Sequence, residues 1–289
     1  MSMLDVVVRF HDMRQRDELD RCIFSLVTQD YSPLTVHLVT QRFSDDERES
    51  LRRSLDPLLR MGPGVTLAIR NFDAAEPQDA RAALINLGIA GSSGRYLAFL
   101  DYDDTVYPQA YRQLIGRLQD GPAAIAFGTL AVKTRDVFDD LLLVRTRRLP
   151  FHGRSVVDLF RQNFCPISSY VIDRARVDAG DLCFDAALAK LEDYDFLIRF
   201  CAKYPANFDL IGTVVGDYYV KSDGSNTTLT RFHQPDSAVA DWERARRVVG
   251  QLKQVTMISE EVQRGLGRRY DPLLSVARLA GLGPDRDRT

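Results

Sequence analysis

The chain is poor in the residues that most often announce a site by themselves. Its four cysteines, Cys22, Cys165, Cys183 and Cys201, lie far apart and form no Cys-x-x-Cys pair. That spacing excludes a zinc ribbon and a disulfide framework and predicts reduced, mostly buried thiols. The four histidines, His11, His37, His152 and His233, show no metal-ligand spacing, and Trp242 is the single tryptophan. No apolar run approaches the roughly 18–20 residues that cross a bilayer, and the apolar stretch near the start is too short for a secretory signal. A soluble, cytoplasmic protein is the expectation, with docking on a membrane surface left open. Excess charge is also missing: 38 Lys and Arg against 40 Asp and Glu give a formal net charge of -2. A nucleic-acid partner is not expected from that balance. Repeats and low-complexity tracts are absent too.

What is present is an ordinary globular composition, 45% hydrophobic and 27% charged over 289 residues, enough for one large α/β unit with an appendage. Leu4 to Phe10 reads as a valine-rich strand. Asp17 to Thr28 then places Leu19, Cys22, Ile23, Leu26 and Val27 at helical spacing. Strands are predicted again at Thr35–Thr40, Val65–Arg70 and Tyr96–Leu100, with helices at Asp45–Leu59 and Gln78–Ala90 between them. This alternation predicts parallel βαβ units and a sheet covered on both faces. Beyond Pro108 come a helix to about Leu118, a strand over Ala123–Val132 and a mixed segment with the basic patch Arg145, Arg147 and Arg148. A short helix at Ser155–Gln162, a strand at Ser168–Ile172, a helix at Tyr194–Lys203 and an extended run at Leu210–Val220 follow. From Gln234 the pattern is helical and richer in charge, and the last residues, GPDRDRT, read as a frayed end.

The stretch FLDYDDTVYP, Phe99 to Pro108, ends the fourth strand with Asp101, Asp103 and Asp104. In open α/β sheets ligands bind at the carboxyl ends of strands, and residues two apart on an extended chain share a side. Two carboxylates so placed suit a hard divalent cation whose other ligands come from substrate phosphates. A second acidic cluster, Glu192-Asp193-Tyr194-Asp195, opens a helix. It suits a general base, although acids in a first turn also complement the helix dipole. Asp195 and Arg199 stand four apart as a structural pair.

The Asp-x-Asp-x-Thr of the opening stretch resembles haloacid-dehalogenase-like phosphatases, in which Asp101 would be the nucleophile. That family ends its first strand with the aspartate, whereas about a hundred residues of α/β pattern precede it here. The later acids that such a site needs find only a partial match in Asp217 and Asp223.

Four blocks in order resemble instead the inverting GT-A glycosyltransferases of family 2. They are CIFSLVTQDYSPLTVHLVT after the first strand, ALINLGIAGSSGRYLAFLDYDD, KLEDYDFLIRF and YYVKSDGSNTT, together covering about residues 4–230. The resemblance implies a GT-A fold: a mostly parallel central sheet with helices on both faces, plus a C-terminal helical extension. It implies a nucleoside-diphosphate sugar as donor, Mn²⁺ or Mg²⁺ as cofactor, and transfer to an acceptor hydroxyl with inversion. Asp103 is then the expected metal ligand, Asp101 contacts metal or ribose, and Asp104 steadies the loop or caps the next helix. Asp193 is the expected base, and Glu192 helps to place the acceptor.

This sequence departs from the family pattern at the nucleotide end. The first two strands end in Arg9-Phe10-His11-Asp12 and Thr40-Gln41-Arg42-Phe43-Ser44, without the usual base-contacting acid. Phe10 is expected to stack on a base and Gln41 to hydrogen-bond one, with Arg81 and Asn86 as further nucleotide-side candidates. Loop geometry around Tyr102, Phe127 and Arg145 is expected to set donor choice. Lys221 stands where many relatives have a histidine and is expected to pair with a diphosphate oxygen. His11 is the one histidine expected at the cleft. His37 and Trp242 are read as packing residues, and the sequon at Asn226 as chance.

The expected division is a nucleotide-sugar-binding half (1–104), an acceptor half (105–230) and a helical extension (231–289). The expected role is synthesis of a bacterial surface polysaccharide or glycolipid on a saccharide or lipid-linked acceptor. Self-association or docking into a larger synthase would use the C-terminal helices. A phosphatase, or a catalytically silent module acting through a partner, are the alternatives.

Overall fold

The computed structural model describes residues 2–138, 141–221 and 236–282. The chain runs β1 (Leu4–Phe10), α1 (Arg16–Val27), β2 (Leu34–Gln41), α2 (Asp45–Leu59), β3 (Val65–Phe72), α3 (Arg81–Gly91) and β4 (Tyr96–Asp101). It continues through β5 (Thr105–Val106), α4 (Ala110–Gln119), β6 (Ile125–Phe127), β7 (Thr129–Phe138), β8 (Leu141–Arg148), α5 (Val156–Arg161) and β9 (Tyr170–Asp173). Last come α6 (Glu192–Lys203), β10 (Ala206–Asn207), β11 (Val214–Lys221), α7 (Asp236–Val255), α8 (Glu260–Gly265) and α9 (Val276–Leu279).

Seven strands form one sheet in the order β10-β6-β9-β4-β1-β2-β3, and β5, β11, β7 and β8 form a second, smaller sheet. From β3 to β4 the pairing is parallel, as the alternating pattern predicts. Within this sheet of described residues β9 runs antiparallel, against β4 and β6. The β7–β8 hairpin and the second sheet go beyond what the sequence pattern predicts: the expected strand at Ala123–Val132 breaks at Gly128 and continues in the other sheet. A Cβ at Gly128 would lie 2.5 Å from Val215 Cγ1, so only glycine allows this close crossing.

Strand alternation divides the core into two layers. Val6, Val8, Ala98 and Leu100 face α1, α2 and α4, while Val7, Val39, Leu97 and Phe99 face α3, α5 and α6. The predicted helix at Asp45–Leu59 has the same bounds in the structure: α2 begins after Ser44, whose side chain and Glu47 form a reciprocal capping box, a device worth about 1 kcal/mol. The C-terminal helices join the second layer through Val249, Ile258, Val262 and Val276. The central sheet thus draws strands from both sides of residue 104.

The chain builds β1, β2 and β3 outward in one direction, then returns to place β4 on the opposite side of β1. Between the carboxyl ends of β1 and β4 the helices diverge and leave a crevice, which is where such sheets bind ligands. Parallel register sets Arg9 beside Asp101 at that point.

Candidate active site

A cleft of about 1150 Å³ opens over this switch point, and Asp101, Asp103, Glu192 and Asp193 all line it. The two acidic blocks, ninety residues apart in sequence, therefore meet in one cavity.

Each carboxylate of the Asp101–Asp104 loop has a different environment. Asp101 takes a fork of two bonds from Arg9, Nε to Oδ1 at 2.6 Å and Nη2 to Oδ2 at 3.1 Å. The third arm of Arg9 donates to Glu192 Oε1 at 3.1 Å. Burial works against the charge of Arg9, but Asp101 and then Glu192 more than offset it and hold the guanidinium firmly protonated. Asp104 is buried. Its Oδ2 accepts from Ser168 Oγ at 3.1 Å and its Oδ1 from the Tyr219 backbone N–H at 3.1 Å. It locks the loop to the second sheet and caps no helix. Burial, reinforced by Asp103 and Asp101, raises its pKa well above the carboxylate range.

Asp103 is left as the carboxylate of the loop that lines the cleft with neither of these clamps. Burial first, and then the charge of Asp101, push its pKa up to about 6. Among the described residues no set of three or more His, Cys, Asp or Glu side chains forms a metal cage. A half-buried carboxylate beside another acid suits a Mg²⁺ or Mn²⁺ ion that arrives with phosphate ligands, because the cation offsets the charge that desolvation and Asp101 disfavour.

Asp193 sits in the first turn of α6. Its Oδ2 accepts from Asn163 Nδ2 at 3.2 Å and its Oδ1 from the Tyr194 backbone N–H at 2.7 Å. Burial and then Glu192 raise its pKa to about 7, where a carboxylate serves as a base near neutral pH. Leu191, just before the pair, holds φ 60° and ψ 21°, a left-handed conformation unusual for a bulky residue. Strain of this kind, of order 1–3 kcal/mol, persists where the surroundings over-determine the backbone. Asp195 turns away and pairs with Arg199 at 2.7 Å.

The nucleotide-side candidates divide. Gln41, Arg81, Tyr102 and His11 line the cleft. Gln41 Nε2 donates to the Gln78 carbonyl at 3.0 Å, and Arg81 Nε pairs with Asp79 at 2.8 Å. Burial lowers the pKa of His11. Lys221 also lines the cleft, where its Nζ meets Glu18 at 3.0 Å and Gln15.

Four expectations need correction. Phe10 has no exposed surface and stands edge-on to Tyr102 and Phe43 at 5.2 and 5.7 Å, so it supports Tyr102 and offers no face to a base. The Asn86 amide is consumed by the Phe184 backbone, donating to its oxygen and accepting from its nitrogen at 2.8 Å each. Phe127 is fully buried and stacked on Phe208 at 4.7 Å. Trp242, read as packing, is half-buried and lines the cleft. The side chain of Arg145, together with Asp223, Asn226, His233 and the chain end, lies outside the described residues.

Sequence reasoning missed the roles of Arg9, Asn163 and Ser168. Arg9 had a readable signal, a lone cation interrupting the apolar run LDVVVRF. His37 is a packed strand residue as expected, between Asp5 at 3.3 Å and Arg70 at 2.8 Å. Three of the four cysteines are buried and all are free.

Comparison with known proteins points the same way. Staphylococcus aureus TarS residues 1–349, solved in complex with UDP, superposes with a TM-score of 0.59 at 12% identity, covering 90% of this chain and 68% of that one. The complex of the same protein with UDP-GlcNAc gives 0.53 at 11% identity, covering 90% of this chain and 68% of that one. These likenesses establish the GT-A fold. The succinoglycan biosynthesis protein ExoO of Rhizobium meliloti (strain 1021) is 30% identical over 169 residues, 54% of this chain. The chain spans 46% of the length of that relative. The model of the family described as glycosyl transferase family 2 matches residues 5–173. With that match over the strands and loop that build the crevice, the chain belongs to glycosyl transferase family 2.

Proposed function

We propose that this enzyme moves one sugar from a nucleoside-diphosphate donor to an acceptor hydroxyl, with inversion and metal assistance, in the synthesis of a bacterial surface polysaccharide or glycolipid. The observation that carries the reading is the shared cleft lined both by Asp103, in the loop after β4, and by Asp193, at the start of α6. The polysaccharide role takes support from the printed name of the succinoglycan relative.

In this reading the donor diphosphate lies over the β1–β4 switch point, and Asp103 would hold a divalent cation there. When bound, that cation offsets the charge that develops on the leaving diphosphate. Lys221 adds a positive charge from the β11 side, and Tyr102, Gln41 and Arg81 border the nucleoside. Asp193 accepts the proton of the attacking hydroxyl as the new bond forms opposite the leaving group. Asn163 holds its carboxylate in place, and Glu192, fixed by Arg9, shapes the acceptor side. Asp101 orients Arg9 and does not act as a phosphoryl acceptor, since Arg9 occupies both of its oxygens.

Thermal-shift measurements with each nucleoside diphosphate, with and without Mn²⁺, test this. A rise with one nucleotide that depends on metal is the expected result. A ligand at a hundred times its Kd should stabilise the fold by about 2.7 kcal/mol. No rise with any nucleotide sinks the donor assignment.

A further inference from the structure

The segment between α8 and Leu274 is an exposed loop whose shape is imposed from its base. Gln263 is fully buried. Its Nε2 donates to the Ile258 and Asp271 carbonyls at 2.9 and 2.8 Å, and its Oε1 accepts from the Asp271 N–H at 2.8 Å. The Arg268 N–H closes back on the Gln263 carbonyl at 3.0 Å, and Gly267 turns the chain with φ 67°. One side chain thus ties both ends of the loop, as in compact Ω-type loops.

The clamp holds apolar side chains outward. Leu273 is 70% exposed and Tyr270 49% exposed, with Leu266 exposed between them and the base. Met257, also exposed, sits at the mouth of the same loop through its bridge to Ser275. Their neighbours Val262, Leu274 and Val276 are buried in the core, so the fold sorts adjacent apolar residues into two sets. The loop carries Arg264, Arg268 and Arg269 against one acid, Asp271, in a chain of net charge -2. Arg264 pairs with Glu260 at 2.6 Å and Arg278 with Asp271 at 3.6 Å. Arg268 and Arg269 are exposed and have no ion pair among the described residues.

From this we infer that the loop Arg264–Leu273 docks the enzyme on an anionic lipid surface. Leu273, Leu266 and Tyr270 enter the headgroup boundary, and Arg268 and Arg269 meet lipid phosphates. The chemistry matches on both counts: exposed apolar tips bury area in the interface, and cations beside them gain from a negative surface. A second copy of the chain fits less well, because a two-fold contact through this loop would set like arginines against each other. The inference does not depend on which sugar or acceptor the cleft takes.

Co-sedimentation of the full chain with vesicles is the test. We expect binding to vesicles of phosphatidylglycerol and phosphatidylcholine in equal parts, weak binding to phosphatidylcholine alone, and loss of binding as salt rises. Each arginine should contribute roughly fivefold, so the double variant Arg268→Glu and Arg269→Glu should weaken binding by at least about 25-fold with an unchanged melting temperature. Leu273→Asp should weaken it at low salt, where the wild type binds. Equal binding to both vesicle types, or undiminished binding by the folded double variant, overturns the proposal. So does a concentration-dependent dimer in sedimentation velocity that Leu273→Asp abolishes while vesicle binding stays absent.

Discussion

Arg9 and Asp101 face each other across adjacent parallel strands, joined by two hydrogen bonds of 2.6 and 3.1 Å. Their pairing is a direct consequence of the β1–β4 register, and it gives the first aspartate of the Asp-x-Asp a cation partner within the protein. Because the same guanidinium reaches Glu192, one side chain ties the Asp101–Asp104 loop to the start of α6.

Replacing Arg9 should therefore act on both ends at once. Arg9→Ala leaves Asp101 and Glu192 as uncompensated, poorly solvated carboxylates, a loss that costs about 3–5 kcal/mol when one partner of a buried pair is removed. Arg9→Lys keeps the charge but not the fork and should recover part of the stability only. Chemical denaturation of the two variants checks the order wild type, Lys, Ala. An Ala variant as stable as the wild type would show that the pair does not hold the site together.

The two aspartates should separate by experiment. Asp103→Asn is expected to abolish the metal-dependent nucleotide shift and lower turnover by roughly 10²- to 10³-fold. Asp101→Asn should keep a measurable metal-dependent shift, since its partner is Arg9. Titration of Mn²⁺ against each variant, followed by thermal shift, distinguishes them, and equal loss in both would assign the cation to Asp101 as well.

The pH dependence follows from Asp193. A base must be deprotonated to act, so kcat/KM should rise with pH through about 7 and level off above it. Asn163→Ala removes a donor to the charged carboxylate and should move that limb upward. The stability effect has the opposite sense. A carboxylate whose folded pKa lies above its unfolded value contributes stability below the unfolded pKa, and that contribution is lost as pH rises through about 7. Asp193→Asn should therefore be catalytically dead yet melt higher than the wild type at pH 8, and a lower melting point there would refute the burial argument.

Asp104 should behave as a structural residue. Asp104→Ala removes the acceptor that Ser168 Oγ and the Tyr219 N–H share, at about 1–3 kcal/mol for lost buried hydrogen bonds. Asp104→Asn keeps an acceptor oxygen and resembles the neutral acid that burial favours, so it should stay within about 1 kcal/mol of the wild type. Melting curves for the pair decide it, and an Asn variant as damaged as the Ala variant would mean that charge, not shape, matters here.

The alternation of strand and helix to Leu100, the helix that the capping box of α2 opens and the positions of both acidic blocks are legible in the sequence, because each rests on local periodicity or on side chains within a few residues. The resemblance of four ordered blocks carries the family, and the match over residues 5–173 agrees with it. Tertiary structure alone decided which groups face the cleft. Phe10 and Phe127 are read as donor-side residues in a string of letters, but Phe43 and Tyr102 enclose the first and Tyr170 and Phe208 the second. Trp242 looks like helix packing, yet α7 carries it to the cleft wall. The difference among Asp101, Asp103 and Asp104 is likewise invisible in a run of acids. It arises because Arg9, Ser168 and Tyr219, distant in sequence, reach two of the three carboxylates, and strand register is what brings them there.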